Sequence, residues 1–128
     1  MKLYNKVCLI TGSSRGIGSS IARAFAAEGA KVIITYNTNK KEGIKLSKEL
    51  GMNSAYKLNV IKKKNIKSVF KNVYKKFGKI DVLVNNAGTN ITNDFDKLSE
   101  KDWDTVVDVN LKGVFLCSQE VLKYMPNE

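Results

Sequence analysis

Apolar residues recur along this chain in two alternating rhythms. Four short runs have the length and β-branched content of buried strands: VCLIT at 7–11, KVIITY at 31–36, SAYKLNV at 54–60 and IDVLVNN at 80–86. Between them, apolar residues step by three and four, as on one face of a helix. Ile17, Ile21, Ala24 and Phe25 do so before a stop at Gly29. Ile66, Val69, Phe70, Val73 and Phe77 do so before a stop at Gly78. Asn39 and Glu42 have the spacing of a capping box for a helix to Leu50, with Gly51 just past its end. A last helix is predicted from about Glu100 to Met125, opened by Ser99 and Asp102 in capping-box spacing. Trp103, Val107, Asn110, Val114, Cys117, Val121 and Met125 fall on one of its sides, and Val106, Leu111, Phe115 and Leu122 on another. A helix apolar on two sides is covered by more than its own sheet, and a partner subunit would supply the second cover. Asn110 places an amide on the predicted core stripe, which is costly unless its hydrogen bonds are met.

Strands alternating with helices predict an α/β domain with a doubly wound parallel sheet. Right-handed crossovers give the strand order 3-2-1-4. Ligands of such sheets bind beyond the carboxyl ends of the strands, where the order reverses, here between the first and fourth strands. Two glycine-containing loops fall at that point: TGSSRGIG at 11–18 and NNAG at 85–88. Glycine permits a positive φ and lets a ligand touch the backbone. The free amides and the dipole of a helix that starts there favour an anion, and a pyrophosphate is the natural guest.

Composition narrows the field. At 128 residues, 43% hydrophobic and 27% charged, the chain reads as one ordinary globular domain. No apolar run approaches the ~18 residues of a membrane span, and the N-terminal apolar stretch is too short for a signal peptide, so a cytoplasmic protein is expected. Cys8 and Cys117 sit in apolar patterns and read as buried reduced thiols. The absence of histidine argues against His-based triads and most transition-metal sites, and no metal site is expected. The net charge of +10 is uneven: residues 1–80 hold 18 basic against 3 acidic residues, and residues 81–128 hold 4 against 9. Only Arg15 and Arg23 are arginines. The lysines fall between apolar stripe positions, which fits solvated helix faces better than a nucleic-acid surface. Neither nucleic acid nor membrane is expected as a partner.

TGSSRGIG, IDVLVNNAG and WDTVVDVNLKGVF, in this order and context, resemble the N-terminal half of a short-chain dehydrogenase/reductase. Within that family, KLNV and DVNLKGVF look most like 3-oxoacyl-(acyl-carrier-protein) reductases. The resemblance implies a Rossmann-type fold and a nicotinamide cofactor. It implies that Gly12, Ser13, Ser14, Arg15, Gly16, Ile17 and Gly18 form the phosphate loop. Asn59 and Val60 would hold the adenine, with Asn59 where many relatives have Asp. Asn86, Ala87 and Gly88 would line the adenosine ribose and the path to the nicotinamide. Asn110 would be the catalytic asparagine of the last helix, whose backbone helps hold a water of the proton relay. An NAD-specific site has an acid at the end of the second strand, against the ribose 2′-hydroxyl. Here Tyr36 takes that place, Asn37 and Thr38 add donors, and Arg15 can pair with a 2′-phosphate, so NADP(H) is favoured over NAD(H).

The family's Ser and Tyr-x-x-x-Lys follow a fifth strand, which is expected beyond residue 128. Tyr36 and Lys40 have that spacing but belong to the adenosine side, so the match is accidental. Residues 1–128 therefore read as an incomplete dinucleotide-binding domain, ending before the catalytic segment and inactive alone. Two readings remain open. One is an NADP(H)-dependent reductase of a small carbonyl or acyl-thioester substrate, homo-oligomeric when complete. The other is a non-catalytic nucleotide-binding half-domain that serves as a binding or interaction module.

Overall fold

A computed structural model describes residues 1–127. The strands are β1 (Val7–Ile10), β2 (Lys31–Tyr36), β3 (Ala55–Lys57) and β4 (Val82–Val84). They form one parallel sheet in the order β3-β2-β1-β4, as the alternation predicts. The helices are α1 (Gly16–Ala27), α2 (Lys40–Glu49), α3 (Lys63–Phe77), α4 (Glu100–Val107) and α5 (Gly113–Val121). Successive strand residues point to opposite faces. Val7, Leu9 and Ile33 pack with Ile66, Val69 and Phe70 of α3 and with Leu116, Cys117 and Val121 of α5. Ile10, Val32 and Ile34 face the other way, onto Ala22 of α1 and Leu46 of α2. Both faces of the sheet are therefore covered, and its central strands are continuous apolar runs. No helix among the described residues is long and apolar enough to cross a membrane.

The strands are shorter than the apolar runs. Thr11 leaves β1, because Gly12 turns the chain with φ +61°. The run at 54–60 pairs only over 55–57. Asn59 then accepts the Ile61 amide on its side-chain oxygen (3.2 Å) and turns the chain into α3. The run at 80–86 pairs only over 82–84. The predicted capping box of α2 does not form. Asn39 holds φ −92° and ψ 61°, outside the extended geometry of an N-cap, and its side chain makes no cap bond. The box at Ser99 does form: Ser99 Oγ accepts from the Asp102 amide (3.0 Å), and Asp102 accepts from the Ser99 amide (3.2 Å).

The long C-terminal helix departs most from expectation. A π-helical segment at Asp108–Lys112 separates α4 from α5, and regular helix ends at Val121, short of Met125. A π turn carries an extra residue, so a stripe drawn at one helical period loses register across it. Cys117 and Val121 reach the core, but Trp103 is 68% exposed, and Asn110 is exposed rather than set among core residues. Leu111, Phe115 and Leu122, on the second apolar side, all face solvent. Gly113 is where α5 approaches the β3–α3 connection: a Cβ there would lie 2.7 Å from Val60 Cγ2.

Candidate functional site

The carboxyl ends of β1 and β4 lie side by side, with Ile10 paired to Val84. Thr11 joins the two loops that leave them. Its amide donates to Val84 O (3.0 Å), and its buried hydroxyl accepts from the amides of Asn86 (3.0 Å) and Ala87 (2.9 Å). Asn86 returns the tie, its Nδ2 donating to Thr11 O (3.1 Å) and Gly12 O (3.0 Å). Glycine is required at this seam. A Cβ on Gly12 would come within 3.0 Å of Ala87 Cα, and one on Gly18 within 2.5 Å of both Asn86 Nδ2 and Gly12 O.

The glycine loop has a closed side and an open one. Ser13 is fully buried and Ser14 nearly so, and Ser13 is hydrogen-bonded to β2. Arg15, Gly16 and Ile17 face solvent, and Ile17 is 75% exposed, an expensive place for a large aliphatic chain. Gly16 has φ +60° and open space around the missing Cβ. The amides of Gly16, Ile17 and Gly18 open α1 and find no acceptor among the described residues. Those amides, aligned with the helix dipole, fit an anion. Arg15 takes part in no ion pair among the described residues, so its guanidinium is available to a second anionic group. The residues present fit a dinucleotide at the pyrophosphate end.

The end of β2 lies beside this loop through the Ser13 amide, which donates to Thr35 O (3.0 Å). Tyr36 is buried with its ring against Gly43 of α2, where a Cβ would lie 2.9 Å from Tyr36 Cδ1. It is no exposed phenol in position to move a proton, and its spacing to Lys40 has no catalytic geometry. Asn37 and Thr38 are exposed. At the adenine end, Val60 is buried and Asn59 is partly buried; Asn59 uses its side-chain oxygen on Ile61, as above.

Beyond β4, Gly88 passes the side chain of Asn110. That amide clamps Thr89 from both sides: the Thr89 amide donates to Oδ1 (2.8 Å), and Nδ2 donates to Thr89 O (2.9 Å). A polar residue at position 110 is explained by this clamp rather than by a place in the core. Three partners escaped the sequence reading. Thr11 and Thr35 carry hydroxyls at strand ends, next to glycine turns, where a backbone ladder runs out and a side chain takes over. Asn85 donates to Ser118 Oγ (3.0 Å) and ties the same loop to α5.

The thiols are out of play near neutrality. Burial, reinforced by the Asp81 carboxylate, pushes the Cys8 thiol up to about 11, and burial pushes Cys117 up to about 12. Both are free and buried, as expected.

A doubly wound parallel sheet, with a glycine loop and an Asn-Asn-Ala-Gly loop meeting at its switch point, defines an α/β domain of the Rossmann type. A sequence model described as short chain dehydrogenase matches residues 6–128. The chain belongs to the short chain dehydrogenase family. It is 47% identical over 131 aligned positions to a 3-oxoacyl-(acyl-carrier-protein) reductase of Thermotoga maritima, covering 98% of this chain and 52% of the relative. It is 44% identical over 125 positions to the enzyme of the same name from Staphylococcus epidermidis, covering 94% and 51%. A doubly substituted short-chain dehydrogenase/reductase of Serratia marcescens superposes with a TM-score of 0.90 at 30% identity, covering 98% of this chain and 53% of that one. The chain thus spans about half the length of the relatives it matches.

Proposed function

We propose that residues 1–128 are the cofactor-binding part of an NADP(H)-dependent ketoreductase acting on 3-oxoacyl thioesters or related carbonyls. The observation that carries this reading is the pairing of α1 amides and an Arg15 that find no partner among the described residues with a β2 end that holds no carboxylate. The amides of Gly16, Ile17 and Gly18 receive the pyrophosphate. Arg15, with Asn37 and Thr38, receives the 2′-phosphate, which an acid at position 36 would repel. Val60 and Asn59 flank the adenine, and Asn86, Ala87 and Gly88 line the way to the reacting ring. A bound nicotinamide supplies or accepts the hydride. Asn110 spends its side chain on Thr89, so its contribution to a relay water falls to its backbone. The proton at the substrate oxygen is then handled by a Ser and a Tyr-x-x-x-Lys segment following a fifth strand, as expected from the family resemblance. The exposed apolar side around α5, made by Leu111 of the π segment, Phe115 of α5 and Leu122 just past it, serves pairing with a second copy.

Calorimetric titration of the chain with NADPH and with NADH tests the cofactor reading. NADPH is expected to bind about tenfold or more tightly, and Arg15→Ala is expected to remove that preference. Equal or tighter NADH binding overturns it. The absorbance of NADPH with a 3-oxoacyl thioester tests the chemistry. Turnover is expected only when a segment carrying the fifth strand, Ser and Tyr-x-x-x-Lys is supplied in cis or as a second chain. Turnover by the 128 residues alone overturns that assignment. NADPH binding that never supports turnover, even with the segment supplied, favours a non-catalytic nucleotide-binding module.

A further inference from the structure

Thr35 is a polar residue with no exposure at all, one position before the end of β2. β1 and β2 pair by backbone as far as Ile10 and Ile34, and there β1 turns away through Thr11 and Gly12. Beyond that point one backbone bond remains and side chains supply the rest of the ladder. Thr35 Oγ1 donates to Ile10 O (2.9 Å) and accepts from the Gly12 amide (3.1 Å). The Thr35 amide donates to Ser13 Oγ (2.9 Å), which donates back to Thr35 O (3.4 Å). The Ser13 amide also donates to Thr35 O (3.0 Å). Ser13 is likewise fully buried, so neither hydroxyl is free to meet a ligand.

This lock bridges two places that do different work. On one side are the first residues of the glycine loop, two positions before Arg15. On the other is the turn at Tyr36, Asn37 and Thr38. A dinucleotide touching both must find them at a set separation, which a single backbone bond, from the Ser13 amide to Thr35 O, holds together with the four bonds made by the hydroxyls of Thr35 and Ser13. We infer that Thr35, with Ser13, is a positioning residue that makes the pyrophosphate site and the 2′-phosphate site one preorganised unit. The inference rests on the cofactor reading above. Preorganisation spares a ligand that spans both sites the cost of ordering them, and it does little for a ligand that fills one.

Thr35→Val keeps the shape and removes the hydroxyl, leaving the Gly12 amide and Ile10 O without their partner. NADPH affinity is expected to fall about tenfold or more. Adenosine 2′-monophosphate, which reaches only the 2′ site, is expected to bind within about twofold of the unaltered chain, since it gains little from the lock. Thr35→Ser is expected to restore NADPH binding. Hydrogen exchange at the Gly12 and Ser13 amides, measured without nucleotide, is expected to quicken in Thr35→Val. Should Thr35→Val not fold, Ser13→Ala breaks the reciprocal pair from the loop side and is expected to show the same split between the two ligands. Unchanged NADPH affinity in the folded variant, or an equal loss for both ligands, overturns the inference while leaving the cofactor reading intact. An unaltered chain that binds neither NADPH nor NADH overturns both.

Discussion

The glycine-loop side of the switch point and the stretch from Asn90 through the π segment behave as opposites. On the first side, Thr11, Ser13, Thr35 and Asn86 are each held by several hydrogen bonds, and the loops are set before any ligand arrives. On the second, Phe95 is 92% exposed and Trp103 68%, around a groove of about 350 Å³ that Ile91, Leu98 and Val106 also line. Its organised features are the Ser99 capping box and the Asn110 clamp on Thr89. The seam of the first side is built from short polar side chains that satisfy the local backbone, and the Gly16–Gly18 amides and Ile17 are left open there. The second carries large apolar side chains in water, each CH₂ of which would be worth about 0.8 kcal/mol if buried. Preorganisation here comes from side-chain-to-backbone bonds at strand ends, and apolar area alone does not supply it.

The contrast can be broken most forcefully at Gly18. Gly18→Ala sets a Cβ against Gly12 O and Asn86 Nδ2, both part of the seam. A loss of about 1–3 kcal/mol in a urea titration is expected, together with loss of measurable NADPH binding. A variant as stable as the unaltered chain would show that the seam yields.

Thr11→Val removes one acceptor from two amides, those of Asn86 and Ala87. A destabilisation of about 2 kcal/mol is expected by the same titration. Hydrogen exchange at residues 86–87 is expected to rise, with exchange at 100–107 unchanged. A change spread evenly over both regions would erase the distinction between them.

At the far end of β1, Asp81 accepts the Val7 amide (2.8 Å) and pairs with Lys79 (3.1 Å). Burial raises the Asp81 carboxyl, but the Val7 amide and Lys79 outweigh it and hold it below the ordinary carboxylate value. A lowered folded-state pKa means the ionised form stabilises the fold. That contribution is complete above the unfolded-state value of about 4 and is lost as pH falls through the lower folded-state value. Urea midpoints from pH 7 down to pH 3 are expected to decline less in Asp81→Asn than in the unaltered chain. Parallel declines would remove Asp81 from the account.

Asn110 joins the two regions, so Asn110→Ala tests whether they are coupled. The exposed clamp is worth about 1 kcal/mol, and its loss is expected to free the backbone at Gly88 and Thr89 without reaching Thr11. Increased exchange at Thr11 to Ser13 would show the regions to be one unit. Phe115→Lys is expected to change stability by less than about 0.5 kcal/mol, because the ring is 58% exposed. Light scattering of the chain joined to a segment carrying the fifth strand, Ser and Tyr-x-x-x-Lys is expected to show weaker self-association in that variant. Unaltered self-association would exclude this side of α5 from the contact.

Strand order, helix order and the meeting of the two glycine-containing loops were legible because they follow from periodicity and from the right-handed crossover. Gly12 and Gly16 were legible as turn residues, and both carry a positive φ. The buried, unpaired state of Cys8 and Cys117 was legible from the apolar runs around them. The capping boxes show the limit of a local signal. Ser99–Asp102 and Asn39–Glu42 have the same spacing, yet only the first closes, because the backbone at Asn39 follows the exit from β2 instead of the extended geometry a cap needs.

What the sequence determined by itself is whatever depends on near neighbours in the chain: the alternation of strand and helix, their order in the sheet, and a glycine loop that opens a helix with its amides free. What only the tertiary structure decided depends on contacts between distant segments. Thr35 meets Gly12 and Ser13 from more than twenty positions away, and Asn86 meets Thr11 across 75. Asn110 turns to Thr89 because a π segment inserts a residue that no regular period foretells. A buried hydroxyl or amide must find a partner, but periodicity carries no information on which one. Its partner is set when packing of the two sheet faces brings the strand ends together.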